Sequence, residues 1–121
     1  MKNGSHYTKL EVWTLSRKLA NTIYEVTKNY PESERFGLTN QLRRCAVSVP
    51  SNIAEGCGRH HDKETLHFLY ISRGSLFELE TQILISLDQN YLNSTQNDLI
   101  QKEIISCKKL LNGFIKYLRQ S

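Results

Sequence analysis

Apolar residues recur at helical spacing along most of the chain. Val12, Leu19, Ile23, Val26 and Tyr30 step alternately by four and three, with Ser16 in the one polar gap. That stripe predicts a first helix over about 9–29, closed by Tyr30-Pro31 because proline cannot continue a helix and disfavours the helical conformation in the residue before it. A second stripe, Leu38, Leu42, Cys45, Val49 and Ile53, predicts a helix over about 38–57. Pro50 removes one backbone donor and crowds the carbonyl of Ala46, yet apolar positions keep phase on both sides, so a kink is expected there rather than a break. Gly56 and Gly58 stand where left-handed caps commonly end a helix. Asp62 is placed to cap a third helix over about 62–90, with the stripe Leu69, Ser72, Leu76, Leu79, Ile83 and Leu87. Ser94 or Thr95 starts a fourth, over about 95–119, striped by Ile100, Ile104, Cys107, Leu111, Phe114 and Leu118. No segment alternates as a strand does, and no repeat of fixed period is present. Short joints make successive helices antiparallel, so the expected fold is all-α: one domain over 1–121, an up-down-up-down four-helix bundle with helix two kinked at Pro50.

Two further expectations follow from the same patterns. Helix three carries a second, partly apolar row of Phe68, Ile71, Ser75 and Ile85, more than one core requires, which points to a subunit contact. If helices two and three fold back about residues 59–60, position i faces roughly position 119 minus i. Gly74 then lies near Cys45, Ser75 near Arg44, Glu78 near Gln41 and Ser48 near Ile71, with Gly74 and Ser75 allowing close backbone approach.

The 121 residues support one core and argue against two domains, and 2 Pro and 6 Gly leave little room for linkers. The longest uncharged apolar stretch, around Ile83 to Leu87, is far too short to span a bilayer. No secretory signature opens the chain, and three widely separated cysteines, Cys45, Cys57 and Cys107, do not make a disulfide framework. A cytoplasmic location is therefore expected. Charge changes the picture more. Residues 1–61 carry 9 Lys+Arg and 5 Asp+Glu, while residues 62–121 carry 7 of each. Within the second half, Lys102, Lys108, Lys109, Lys116 and Arg119 face only Glu103. A pI near 9.0 suits a polyanionic partner without proving one.

Three groups of residues were candidates for chemistry. Cys57, His60, His61, Asp62, Glu64 and His67 cluster around the second joint, but a closed zinc site would need a second ligand pair, so no metal and no cofactor is expected. The cations Arg43, Arg44, Arg59, Lys108, Lys109, Lys116 and Arg119 could meet phosphate, although no aromatics suited to base stacking are interleaved with them. Arg43 and Arg44 point about 100° apart on a helix, which separates their roles. The polar series Gln41, Arg44, Ser48, Asn52 and Glu55, with Glu78 and Glu80 on helix three, reads as structural pairing within or between subunits. Nothing beside it supplies a nucleophile or an oxyanion hole, and no phosphate-cradling glycine loop or dinucleotide fingerprint is present, so no enzyme is expected.

At these residues the sequence resembles the four-helix-bundle proteins encoded within intervening sequences of bacterial large-subunit ribosomal RNA genes. The resemblance is carried by Val12-Trp13, by Phe36-Gly-Leu-Thr-Asn-Gln-Leu-Arg-Arg-Cys-Ala46 and most densely by Ser48-Val-Pro-Ser-Asn-Ile-Ala-Glu-Gly56. Gly58-Arg59, Phe68-Leu69 and Gly74-Ser-Leu-Phe-Glu-Leu-Glu-Thr-Gln82 complete it, whereas 91–121 matches only as an amphipathic helix. The family name describes where some members are encoded and is not an activity. The resemblance implies a ring, most often a homopentamer, and similarity to the basic accessory protein of diversity-generating retroelements, which binds nucleic acid and a reverse transcriptase. A ring uses two different faces of each subunit and repeats every basic patch around it.

The expected function is thus that of a non-enzymatic, oligomeric bundle that binds structured RNA or DNA through basic surfaces. Arg43, Arg59, Lys108, Lys109 and Lys116 would contact phosphate while Arg44 pairs with Glu78. The alternative is a protein-interaction scaffold ring that ignores nucleic acid, which an exposed apolar patch outside the subunit interface would favour.

Overall fold

The computed structural model describes residues 4–120. Four helices make up most of it: α1 (Glu11–Thr27), α2 (Leu38–Cys57), α3 (Asp62–Asp88) and α4 (Ser94–Arg119). Short 3-10 segments, Gly4–Lys9 and Glu32–Glu34, precede α1 and α2. No strand is present among the described residues. Each helix packs on two others, α1 and α3 both on α2 and α4, so the four close a square bundle. Cross-helix hydrogen bonds fix direction: residues of α2 descend from Gly56 through Val49 to Cys45 as their α3 partners ascend from Thr65 through Ser72 to Ser75. No helix of the described residues is long and apolar enough to cross a membrane.

The core follows the predicted stripes with small rotations. Leu19, Ile23, Leu42, Val49, Ile53, Leu69, Leu76, Leu79, Ile83, Ile100, Ile104 and Leu111 are fully buried. In α4, Ile115 takes the buried place expected of Phe114, which is only half-buried. The polar positions in the stripes are buried with local partners: the Ser16 hydroxyl donates to the Trp13 carbonyl at 3.0 Å, and Ser72 donates across to the Val49 carbonyl at 2.8 Å.

Helix ends depart from expectation where backbone donors find other partners. Pro50 lies inside an unbroken α2. No glycine among the described residues takes a positive φ: Gly58 ends α2 at φ −81°, so the expected left-handed glycine caps do not form. The one positive φ belongs to Asn90, at 63°, between α3 and α4, where asparagine tolerates the left-handed region. The residue before α3 is His61, and Asp62 is its first helical position. Asn93 caps α4 with a reciprocal box. Its side chain accepts from the Gln96 N–H at 2.8 Å, and the Gln96 side chain accepts from the Asn93 N–H at 2.9 Å.

Between α2 and α3 the paired residues lie one to four positions from the register expected. Ser75 meets Cys45 and Ser48 rather than Arg44, and Ser48 meets Ser75 rather than Ile71. Close approach also occurs elsewhere. A Cβ at Gly74 would have nothing within 4 Å, whereas one at Gly56 would lie 3.0 Å from both Phe68 Cβ and the Thr65 carbonyl oxygen.

Glu34 ties the two joints at the other end of the bundle. Its carboxylate accepts from the Leu38 N–H at 3.0 Å and from the Tyr91 hydroxyl at 2.9 Å. The Leu38 N–H, then the Tyr91 hydroxyl, stabilise the charged form and hold this carboxyl below its ordinary range. A depressed folded-state value adds stability that is present above the unfolded-chain value and disappears as pH falls through the folded one. Glu34→Gln is therefore expected to lower the melting temperature at pH 7. Thermal melts of both proteins from pH 7 to pH 3 should show that gap narrowing; a constant gap would mean that the ionised carboxylate is not what matters.

Candidate nucleic-acid interface

The cations divide by what holds them. Arg43 Nε donates to the Thr27 hydroxyl at 2.9 Å, and its guanidinium sits 4.8 Å from the centre of the Tyr24 ring. Arg59 pairs with Glu55 one turn back at 3.0 Å and lies 4.7 Å from the Phe68 ring centre. Lys108 reaches from α4 to Glu80 on α3 at 3.0 Å and lies 4.1 Å from the Phe77 ring centre, with 18% of its side chain exposed. All three expected phosphate contacts have partners within the chain, and Lys108 is the most enclosed because α4 turns it towards α3, where Glu80 receives it. Arg44 shows the reverse. It is exposed, and among the described residues no ion pair joins it to Glu78, so the expected Arg44–Glu78 bridge is not formed.

Lys109 and Lys116 remain exposed and carry no ion pair among the described residues. With Lys102 they stand seven residues apart, two helical turns or about 10 Å each, in a row along the outer face of α4. Exposed small residues, Ser106 and Gly113, lie between them, and a Cβ at Gly113 would meet nothing within 4 Å. The one acid within 102–119, Glu103, accepts the Thr22 hydroxyl of α1 at 3.0 Å. The row is therefore open to a large partner and free of ion pairs among the described residues, with Asp98 one turn before Lys102 on the same face. Lys102, not among the cations expected to meet phosphate, completes the row, and its spacing from Lys109 and Lys116 is visible in the sequence.

The polar series borders two grooves that share Asn40, Arg44 and Ser48. Gln41, Arg44, Ser48 and Glu78, with Asn40, Cys45, Ser75 and Gln82, line a groove of about 520 Å³ between α2 and α3. The Ser48 hydroxyl bonds to the Cys45 carbonyl at 2.7 Å and to the Ser75 hydroxyl, and Cys45 Sγ donates to the Ser75 carbonyl at 3.0 Å. Asn52 instead donates to the Ser48 carbonyl at 2.8 Å and borders a second groove with Tyr24, Arg43 and Val47, while Glu55 faces Arg59. His60, His61 and His67 are exposed, and among the described residues no three His, Cys, Asp or Glu side chains gather closely enough to share a metal.

The three cysteines are thiols, and the surroundings of Cys45 and Cys107 suppress the thiolate. Burial, reinforced by the Glu78 charge, pushes the Cys45 thiol up to about 11, and burial with Glu103 pushes Cys107 up to about 12. Cys57 is buried as well. Since the thiolate is the reacting form, the native protein at pH 8 is expected to react with a disulfide reagent about 100-fold slower than the denatured chain, with no fast equivalent. One fast-reacting thiol would contradict that assignment.

Exposed apolar side chains concentrate on α3. Tyr70, Phe77 and Leu84, seven residues apart, form one row, and Ile71 and Ile85 lie on the adjoining side. Phe77 is 54% exposed, more than a helix packed on two neighbours needs to leave uncovered.

A family model described as 23S rRNA-intervening sequence protein matches residues 8–113. No curated protein matches the chain in sequence. Among solved structures, the chain is similar to a protein with unknown function from the S23 ribosomal protein family of Bacteroides thetaiotaomicron. The two share a TM-score of 0.80 and 23% sequence identity, over 87% of this chain and 95% of that one, which is a likeness of fold.

Proposed function

The chain belongs to the 23S rRNA-intervening sequence protein family, and from that premise we propose that it is a non-enzymatic, oligomeric bundle that binds structured RNA or DNA through the outer face of α4. The observation that carries this reading is the row Lys102, Lys109 and Lys116, exposed and free of ion pairs among the described residues. Lysines are strongly hydrated point charges that neutralise phosphate without reading sequence, and several on one face give affinity through released counterions. Catalysis has no comparable support, since the polar groove between α2 and α3 holds no activated nucleophile and its thiol is held protonated.

Oligomerisation belongs to the same proposal. The Tyr70, Phe77 and Leu84 row gives each subunit an apolar face to cover, and a ring, a pentamer in the family resemblance, repeats the α4 row around its rim. Repetition converts weak phosphate contacts into useful affinity.

Binding of labelled structured RNA, duplex DNA and single-stranded DNA, each at low and near-physiological salt, tests the reading. Micromolar or tighter binding with a steep salt slope is expected. No binding at low salt would overturn it and leave the apolar face of α3, and with it a protein-interaction scaffold, as the better reading.

A further inference from the structure

Between α3 and the last turns of α4 lies a cavity of about 330 Å³, lined by Arg73, Asn112, Ile115, Lys116, Arg119 and Gln120. Its polar side chains are cations and carboxamides, with no carboxylate among them. Among the described residues no ion pair engages Arg73, Lys116 or Arg119. Cations in the last turn of a helix ordinarily complement its dipole, and that suffices for Lys116 and Arg119. It does not explain Arg73, which comes from the middle of a neighbouring helix.

The guanidinium of Arg73 is held from two sides. One N–H donates to Asn112 Oδ1 at 3.1 Å, and its central carbon lies 5.0 Å from the Tyr70 ring centre. That bond also settles the amide of Asn112. With Oδ1 committed to Arg73, the two N–H donors of the amide are left for another acceptor. Arg73 itself retains donors beyond the one given to Asn112. Two guanidinium groups, an ammonium and an amide N–H pair thus border one space, and none of the described residues lining it is a carboxylate. Such a donor set suits a tetrahedral oxyanion, whose oxygens accept from several directions and which arginine engages bidentately.

We propose that this cavity is a phosphate site that takes one backbone phosphodiester of a nucleic-acid strand lying along the α4 lysine row. Lys116 belongs to both the row and the cavity, so a strand following the row reaches the site. The source of the phosphate rests on the function proposed above; the existence of an anion site does not.

The test has two arms, both on the full chain. In the first, wild type and Asn112→Asp are titrated with inorganic phosphate while the side-chain N–H resonances of Arg73 in both proteins, and of Asn112 in the wild type, are followed by NMR, with sodium chloride at matched ionic strength as control. Asn112 is exposed, so the variant places a negative charge at the cavity without disturbing the core. Saturable shifts in the wild type are expected, with the Arg73 response lost in the variant. No saturable shift in the wild type, or an equal response in the variant, overturns the site. In the second arm, Asn112→Asp and Arg73→Gln are expected to bind labelled RNA or duplex DNA about 5- to 10-fold more weakly, with a log–log salt slope shallower by about one phosphate. Wild-type nucleic-acid binding without a phosphate response overturns the site and spares the functional reading. A phosphate response without nucleic-acid binding overturns the phosphodiester part of the proposal together with that reading.

Discussion

Reversing Lys109 and Lys116 together to glutamate is expected to lower affinity for structured RNA or duplex DNA roughly 30- to 100-fold near physiological salt while lowering the melting temperature by only a few degrees, the cost of an acid in the last turn of α4. The lower figure follows from counterion release. Each lost contact removes about 0.9 from the salt slope, which near 0.15 M corresponds to about 5-fold in affinity, so two contacts give about 30-fold. Like-charge repulsion between the new carboxylates and phosphate adds the rest. Both lysines are exposed and without ion pairs among the described residues, so little native structure depends on them. Lys108→Glu should give the opposite result. It breaks a pair with Glu80, sets two carboxylates side by side over Phe77, and is expected to cost about 1–3 kcal/mol of stability with a smaller direct effect on binding. Salt-dependent binding isotherms and thermal melts on the three proteins decide the matter. Equal affinity of the double variant and the wild type at both salts would remove α4 from the interface.

Lys108 and Lys109 are adjacent in sequence and alike in composition, and the bundle gives them different work. The stripes of α1 to α4 made the four helices and most of the core legible, because burying one apolar face per helix has few solutions. What joined the helices was less legible. The partner of Lys108 depends on how α4 is rotated against α3, and a helix turns about 100° per residue, so an offset of one position exchanges a bonded cation for a free one. The same sensitivity exchanged Arg43 and Arg44: Thr27 and Tyr24 of α1 hold the first, while the second is exposed. Lys102, Lys109 and Lys116 could have been read from their period alone. Arg73 could not, since only the α3–α4 contact brings it to Asn112 and Lys116.

Glycine substitutions in the helices should separate by sign, and Gly56 carries the largest effect. In a helix interior, replacing glycine with alanine ordinarily stabilises by about 0.5–1 kcal/mol because the unfolded chain loses more freedom with glycine. Gly74→Ala and Gly113→Ala should follow that rule, for a Cβ at either position meets nothing within 4 Å. At Gly56 the added carbon would stand 3.0 Å from the Thr65 carbonyl oxygen and from Phe68 Cβ. The carbonyl belongs to the α3 backbone, and Thr65 ties α3 to α2 by donating its hydroxyl to the Gly56 carbonyl at 2.8 Å, so neither helix can withdraw without weakening that bond. The steric term exceeds the entropic gain, and Gly56→Ala is expected to destabilise by about 1–3 kcal/mol, with valine there costing more. Denaturant unfolding of the three alanine variants would show two midpoints at or above the wild type and one well below it. Had the glycine served as a left-handed cap, alanine would cost stability through backbone strain instead, but no described glycine has a positive φ. The penalty at Gly56 comes from the approach of α3, and enlarging the residue should deepen it, whereas a backbone-strain penalty would depend little on side-chain size. A stabilised Gly56→Ala protein would mean that α2 and α3 stand farther apart at this end than 3.0 Å to a Cβ allows.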